Sequence, residues 1–252
     1  MPIYRAALKR LSALPQPMYI DSTMHWKVIA QTPQGDEPSA FDERVLFDST
    51  ARRECVLFVP YSSDSRVIIG PSYFAPDMWL LHKSPERIAQ TTHPDFSPDL
   101  SDLKTIAAVV SVAKPSYEIT FAGTDPISNG GGTAYHLLLK PLSDPWKHNL
   151  RELWVNSSNF NIVRAVLVGD YRPDNGQLLE QTTVAEDFGP VGPYWVVIHH
   201  TWSYRDAPNS VTFHYDATAQ NMSFPAAIPP WYFDEAQFNQ HRSQVNTSAV
   251  WP

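Results

Sequence analysis

From Met18 onward the chain alternates apolar and polar residues with a period of two, and it keeps returning to that pattern. Met18, Ile20, Met24, Trp26 and Val28 are interleaved with Tyr19, Asp21, Thr23, His25 and Lys27. Alternation of this kind sends successive side chains to opposite faces of a pleated sheet, so one face can be buried while the other meets water. Comparable runs recur at 40–48, 52–60, 64–74, 116–124, 133–141, 151–156, 160–170, 177–187, 194–205 and 210–220. Pro, Gly, Asn or Asp clusters separate most of them, beginning with Thr32-Pro33-Gln34-Gly35. About eleven strands in mostly consecutive order predict a mainly β fold, one large curved antiparallel sheet. No fixed repeat with a shared motif is present, which argues against a propeller or a solenoid.

Helical spacing interrupts the strands in a few places. Ile3, Ala7, Leu8 and Leu11 share one helical face, predicting a short amphipathic helix over about 2–13 that Pro15 and Pro17 end. Near the middle, Ser97 suits an N-cap, Pro98 the first helical position, and Asp99 and Asp102 the positive end of the helix dipole. Leu100, Leu103, Ile106, Ala107 and Val110 then form one apolar stripe, predicting a helix over about 98–112. A shorter helix over about 84–90 starts at Ser84-Pro85-Glu86 by the same logic. The aromatic segment at about 225–252 opens extended through its prolines. Trp231, Tyr232, Phe233 and Phe238 then predict a last short helix, followed by a frayed tail from Ser243.

At 252 residues the chain can form one domain that buries roughly 70–75% of its unfolded surface, and 1–252 is read as a single domain. The 8 Trp, 11 Tyr and 12 Phe favour pleated surfaces or an aromatic-lined pocket over helical bundles. A net charge of −7 without a Lys/Arg stripe argues against nucleic acid. No run of 18 apolar residues is present, so no membrane-spanning helix is expected. Cys55 is the only cysteine, which rules out an internal disulfide.

Reactive side chains are present without a reactive arrangement. His199 and His200 are neighbours on a predicted strand and point to opposite faces, so they cannot hold one ion together. The remaining histidines show no i, i+2 or i, i+4 cluster, and no metal site is nominated. Gly130-Gly131-Gly132 lacks the Lys-Ser/Thr and helix of a phosphate loop and reads as a hairpin turn. Cys55 stands in an apolar strand, and the carboxylates of Glu186-Asp187 diverge across a strand. Neither a catalytic residue nor a cofactor is nominated, and the chain is read as a non-enzyme.

The run Ala134-Tyr135-His136-Leu137-Leu138-Leu139-Lys140-Pro141 is followed by Leu153-Trp154-Val155-Asn156 and by Phe160-Asn161-Ile162-Val163-Arg164-Ala165. This succession, a strand ending in Pro, a Trp-bearing strand and then another, resembles the LolA-like superfamily of bacterial lipoprotein carriers and their relatives. The resemblance implies an incomplete antiparallel barrel around a hydrophobic cavity, with a few helices plugging the concave face. It also implies a periplasmic or otherwise exported protein, so the opening Met1-Pro2-Ile3-Tyr4 reads as a start from which a signal has been trimmed.

Two functions fit. In the first, the chain is a carrier or sensor that shelters a lipid, an acyl chain or a lipoprotein's acyl moiety between the sheet and the 98–112 helix. The expected ligand-binding residues are Trp26, Leu103, Ile106, Val110, Trp154, Ile198 and Trp202. In the second, an exposed aromatic tail around Trp231-Tyr232-Phe233 docks on an envelope protein in assembly or stress signalling. A hydrolase or isomerase using the same cavity is a weaker third. If the 98–112 stripe is packed, Leu103→Asp or Ile106→Asp places an unpaired charge in an apolar contact and lowers stability by several kcal/mol. Unchanged melting temperatures for both variants would mean that the stripe is not docked.

Overall fold

The alternating runs form eleven antiparallel strands in one sheet. The structure, a computed structural model, describes residues 2–51, 53–62, 67–71, 117–127, 132–142, 150–169, 180–206 and 209–247. Helix α1 (Pro2–Ala13) is followed by β1 (Tyr19–Thr32), β2 (Gly35–Asp48), β3 (Arg53–Val59) and β4 (Val67–Pro71). Then come β5 (Tyr117–Pro126), β6 (Thr133–Pro141), β7 (Leu150–Asn156), β8 (Ile162–Gly169), β9 (Glu180–Val191), β10 (Tyr194–Asp206) and β11 (Val211–Ser223). A 3-10 turn (Pro230–Phe233), helix α2 (Glu235–His241) and a second 3-10 turn (Arg242–Gln244) complete the described elements. The predicted helices over 84–90 and 98–112, and Leu103, Ile106 and Val110 with them, lie outside the described residues.

Across the sheet the order is β4-β3-β2-β1-β11-β10-β9-β8-β7-β6-β5. All neighbours but one are consecutive in the chain. The exception is β1 with β11, which pair from Asp21↔Ser223 to Gln31↔Thr212 and join two meanders in mid-sheet. The curved sheet stays open, with β4 and β5 as its edges, so the barrel is incomplete. Pro38 is tolerated inside β2 because β3 pairs with β2 only from Asp42 onward, leaving that end of β2 as an edge where a missing N–H costs little.

The two faces are covered at different places. On the face called inner here, α1 lays Ala7, Leu8 and Leu11 against Leu137, Leu150, Leu153 and Phe188. Arg10 Nε donates to Asn161 Oδ1 at 2.7 Å, fixing the helix to the β7–β8 turn. On the outer face, the segment after β11 covers β2 and β3: Ile228, Tyr232, Phe233 and Phe238 pack with Leu46, Cys55 and Leu57. Asp234 caps α2 by accepting from the Gln237 N–H at 2.9 Å.

A buried ion pair stands beneath that segment. Arg44 donates from Nε and Nη2 to the two oxygens of Asp21 at 2.8 and 2.7 Å. Its Nη1 donates to the Asn246 carbonyl, and the Asn246 N–H donates to the Tyr232 hydroxyl at 2.7 Å. The paired charges therefore have hydrogen bonds beyond each other, which a buried pair needs if it is not to be a net cost.

These contacts correct two expectations. Tyr232 (1% exposed) and Phe233 (6%) are core residues rather than an exposed aromatic tail, because the chain turns back over β2 and β3. The tail is also held as far as Asn246, where fraying from Ser243 was expected. Phe238 is fully buried, so Phe238→Ala should lower stability in urea denaturation by about 3–5 kcal/mol. An unchanged midpoint would mean that α2 is not docked.

Candidate functional site

Paired strands set side chains beside one another in rungs, and one rung crosses nine strands of the inner face. Phe121, Leu137, Leu153 and Ala165 of β5 to β8 lead to Glu186 of β9. His200 of β10, Ala217 of β11, Trp26 of β1 and Phe41 of β2 continue it. Two ionisable residues thus stand at the centre of an otherwise apolar row. The rung beside it carries Val184, Trp202, Tyr215 and Val28.

The aromatic rings of β10, β11, β1 and β2 form one group beyond the area that α1 covers. Trp202 stacks on Tyr215 with centroids 4.9 Å apart. Trp26 meets Tyr215 edge-on at 6.1 Å, His200 edge-on at 6.0 Å, and Phe41 in a stacked arrangement at 6.0 Å. Around Trp26, the buried Met24, Val45, Val56 and Ala217 form a cluster of their own, separate from the one under α1.

Burial disfavours the charged forms of the ionisable groups it encloses. Glu186 (1% exposed) and His200 (4%) approach at 3.8 Å between Oε1 and Nδ1, beyond hydrogen-bond distance. Burial, with the charge of Asp187 as a lesser cause, raises the Glu186 carboxyl well above the ordinary range. Burial, with His199 next, lowers His200 to about 4. Glu43, beside Trp26, is pushed up to about 7, by burial first; the indole opposes this and Glu54 adds to it. Burial also drives the Cys55 thiol up, which makes it a poor nucleophile.

The outer face holds the charged partners. His199 lies between Asp187 (2.8 Å) and Asp216 (3.2 Å), and Arg164 donates to Asp187 at 2.8 Å. The hydrogen bond to Asp187 raises the His199 pKa. Burial works against the Asp187 carboxylate, yet the bonds from His199 and Arg164 outweigh it and lower its pKa. His199 and His200, and Glu186 and Asp187, diverge as the strand period requires.

The expected ligand-binding residues are distributed unevenly. Trp26 and Trp202 come together on the inner face through Tyr215. Trp154 stands on the outer face: its ring stacks on His136 at 4.1 Å and its Nε1 donates to Asp125 at 2.8 Å. Strict alternation along β10 would place Ile198 on the face of His200 and Trp202. The register of β10 against β9 shifts between Val197 and His199, and this bulge breaks the alternation at Ile198. As a result Val197 and Trp195, which strict alternation would place on the other face, pack in the cluster under α1 with Leu153. Ile198 lies over Gly189, where a Cβ would meet its Cδ1 at 2.7 Å. The pairing of Glu186 with His200, and the place of Glu43 beside Trp26, were not foreseen, because both depend on register between strands.

Three solved structures are similar to this chain along nearly its whole length. One is a DUF1329 family protein from Desulfovibrio piger, with 12% identity, 93% of this chain and 96% of that one covered, and a TM-score of 0.41. Another, from Vibrio parahaemolyticus, is described as an outer membrane lipoprotein-sorting protein domain, with 12% identity, coverage of 93% and 97%, and a TM-score of 0.43. The third is a LolA superfamily protein from Nitrosomonas europaea, with 14% identity, coverage of 92% and 97%, and a TM-score of 0.39. No family model and no curated protein matches.

The raised pKa of Glu43 carries a stability consequence. Its folded value of about 7 lies above the ordinary 4.5, so the folded state holds the proton more tightly than the unfolded chain. The stability this proton confers is complete below pH 4.5 and is lost as the pH rises through 7. Glu43→Gln should therefore leave the melting temperature unchanged at pH 4 and raise it above pH 7, by at most about 3 kcal/mol of stability. An equal effect at both ends of the range would show that Glu43 titrates normally.

Proposed function

We propose that this chain is a non-enzymatic carrier or sensor that holds an apolar molecule, a lipid or an acyl chain, against its inner face. The observation that carries the reading is the aromatic and apolar cluster of β10, β11, β1 and β2, which is buried and separate from the one under α1. Ligand sites are mostly apolar with a few placed polar groups, and a sheet with two free edges can accommodate a guest without breaking a closed ring of strands. Burial disfavours the charged forms of both Glu186 and His200, which suits an apolar guest.

In this reading Trp26 and Trp202 touch the ligand, and the apolar stripe of Leu103, Ile106 and Val110 contributes to its cover. Among the described residues no helix is long and apolar enough to cross a membrane. A periplasmic location and a lipoprotein acyl chain as cargo come with the resemblance at 134–165. The docking alternative loses its motivating surface, since Tyr232 and Phe233 are buried.

Titration with a fluorescent fatty acid and a lipopeptide, together with solvent extraction of the freshly purified protein, tests the proposal. Saturable binding at micromolar concentration and a rise in melting temperature are expected, since acyl burial contributes roughly 0.8 kcal/mol per methylene. Trp202→Ala should weaken binding about tenfold or more by removing a ring from the contact surface. If neither ligand binds saturably and no lipid is extracted, the carrier function is wrong.

A further inference from the structure

The centre of the inner-face rung is chemically at odds with its surroundings. Ala165 and Ala217 flank the Glu186–His200 pair, and beyond them the row is Leu153 and Leu137 on one side, Trp26 on the other. Glu186 is 1% exposed, and its Oε2 has no hydrogen-bond partner. His200 Nδ1 stands 3.8 Å from its Oε1. Buried carboxyl oxygens are ordinarily paired, and a gap of this kind calls for an explanation. Val184, two residues earlier on the same face, shows that β9 accepts an apolar side chain in such a place. Of the two immediate neighbours of Glu186 in the rung, Ala165 presents only a methyl group and His200 an imidazole.

Resting on the carrier reading above, we propose that Glu186, with His200 beside it, is a polar recognition point that hydrogen-bonds an uncharged amide, ester or hydroxyl group on an otherwise apolar ligand. A protonated carboxyl offers both an O–H donor and a C=O acceptor, which complements a group that accepts and donates. Burial raises the Glu186 pKa well above the ordinary range, which favours that protonated form. Among the described residues a carboxylate ligand finds no cation on this part of the inner face: the ionisable neighbours there are Glu43, Glu54 and His200, while Arg164 and His199 lie on the outer face with Asp187. An ammonium ligand must ionise Glu186 and enter the apolar row as a charge, which burial opposes.

Displacement of the neutral dye N-phenyl-1-naphthylamine by decanamide, decanol, decanoate and decylammonium at neutral pH tests this on the intact chain. Decanamide and decanol should displace the dye at lower concentration than either ion. Glu186→Leu should bind the dye as before while its preference for decanamide falls by about tenfold, the factor that one net hydrogen bond supplies. Glu186→Gln, which keeps a donor and an acceptor, should retain the preference.

The same preference in Glu186→Leu as in the unaltered protein, or strongest displacement by decylammonium, overturns the recognition point and leaves the carrier reading standing. If the dye and all four ligands fail to bind, both fall together. Infrared difference spectra provide a readout that does not depend on the leucine variant folding. The C=O band of a protonated carboxyl should shift on adding decanamide and be missing in Glu186→Gln, whereas decanamide binding with no such shift excludes the contact.

Discussion

The pairing of β1 with β11 is the constraint on which the rest of this structure depends. Strands that follow one another in the chain pair over short loops, but β1 and β11 are separated by most of the sequence and meet in the middle of the sheet. Their register places Trp26 against Ala217 and Val28 against Tyr215. Without it, β1 to β4 and β5 to β11 would be two meanders, each with an additional bare edge. With it, the apolar row from Phe121 to Phe41 is continuous, and the rings of β1 and β2 join those of β10 and β11 on one surface. α1 and the segment after β11 leave this seam on opposite sides, one to the inner face and one to the outer.

A second consequence is electrostatic. Adjacent residues on β9 and β10 have opposite fates because the strand period separates them by the thickness of one sheet. Asp187 and His199 are paired with Arg164 and Asp216 on the outer face. Glu186 and His200 are buried on the inner face, which disfavours their charged forms.

Much of the architecture was legible in the sequence because it follows from local rules. Period-two alternation located eleven strands, the spacing of Ala7, Leu8 and Leu11 located α1, and Pro141 marked the end of β6. What the sequence concealed depends on partners far away along the chain. The bulge at Ile198 has no turn residue to announce it and shows itself only as a register shift against β9. Trp154 looks like any apolar strand residue, yet its neighbours His136 and Asp125, brought by β6 and β5, make it a polar-surface tryptophan. The aromatic C-terminal run carries no sign of whether it faces water or folds back. The Arg44–Asp21 pair and Asn246 decide that it folds back, and they are joined only by the tertiary structure.

The two faces differ in a way that a single spectrum can read. Fluorine nuclear magnetic resonance of protein labelled with 5-fluorotryptophan, with signals assigned through individual Trp→Phe variants, follows Trp26 and Trp202 on the inner face and Trp154 on the outer face. Addition of an acyl ligand should shift or broaden the Trp26 and Trp202 signals in a saturable manner while the Trp154 signal stays unchanged. A saturable change at Trp154 with Trp26 and Trp202 unmoved would contradict the assignment of ligand binding to the inner face.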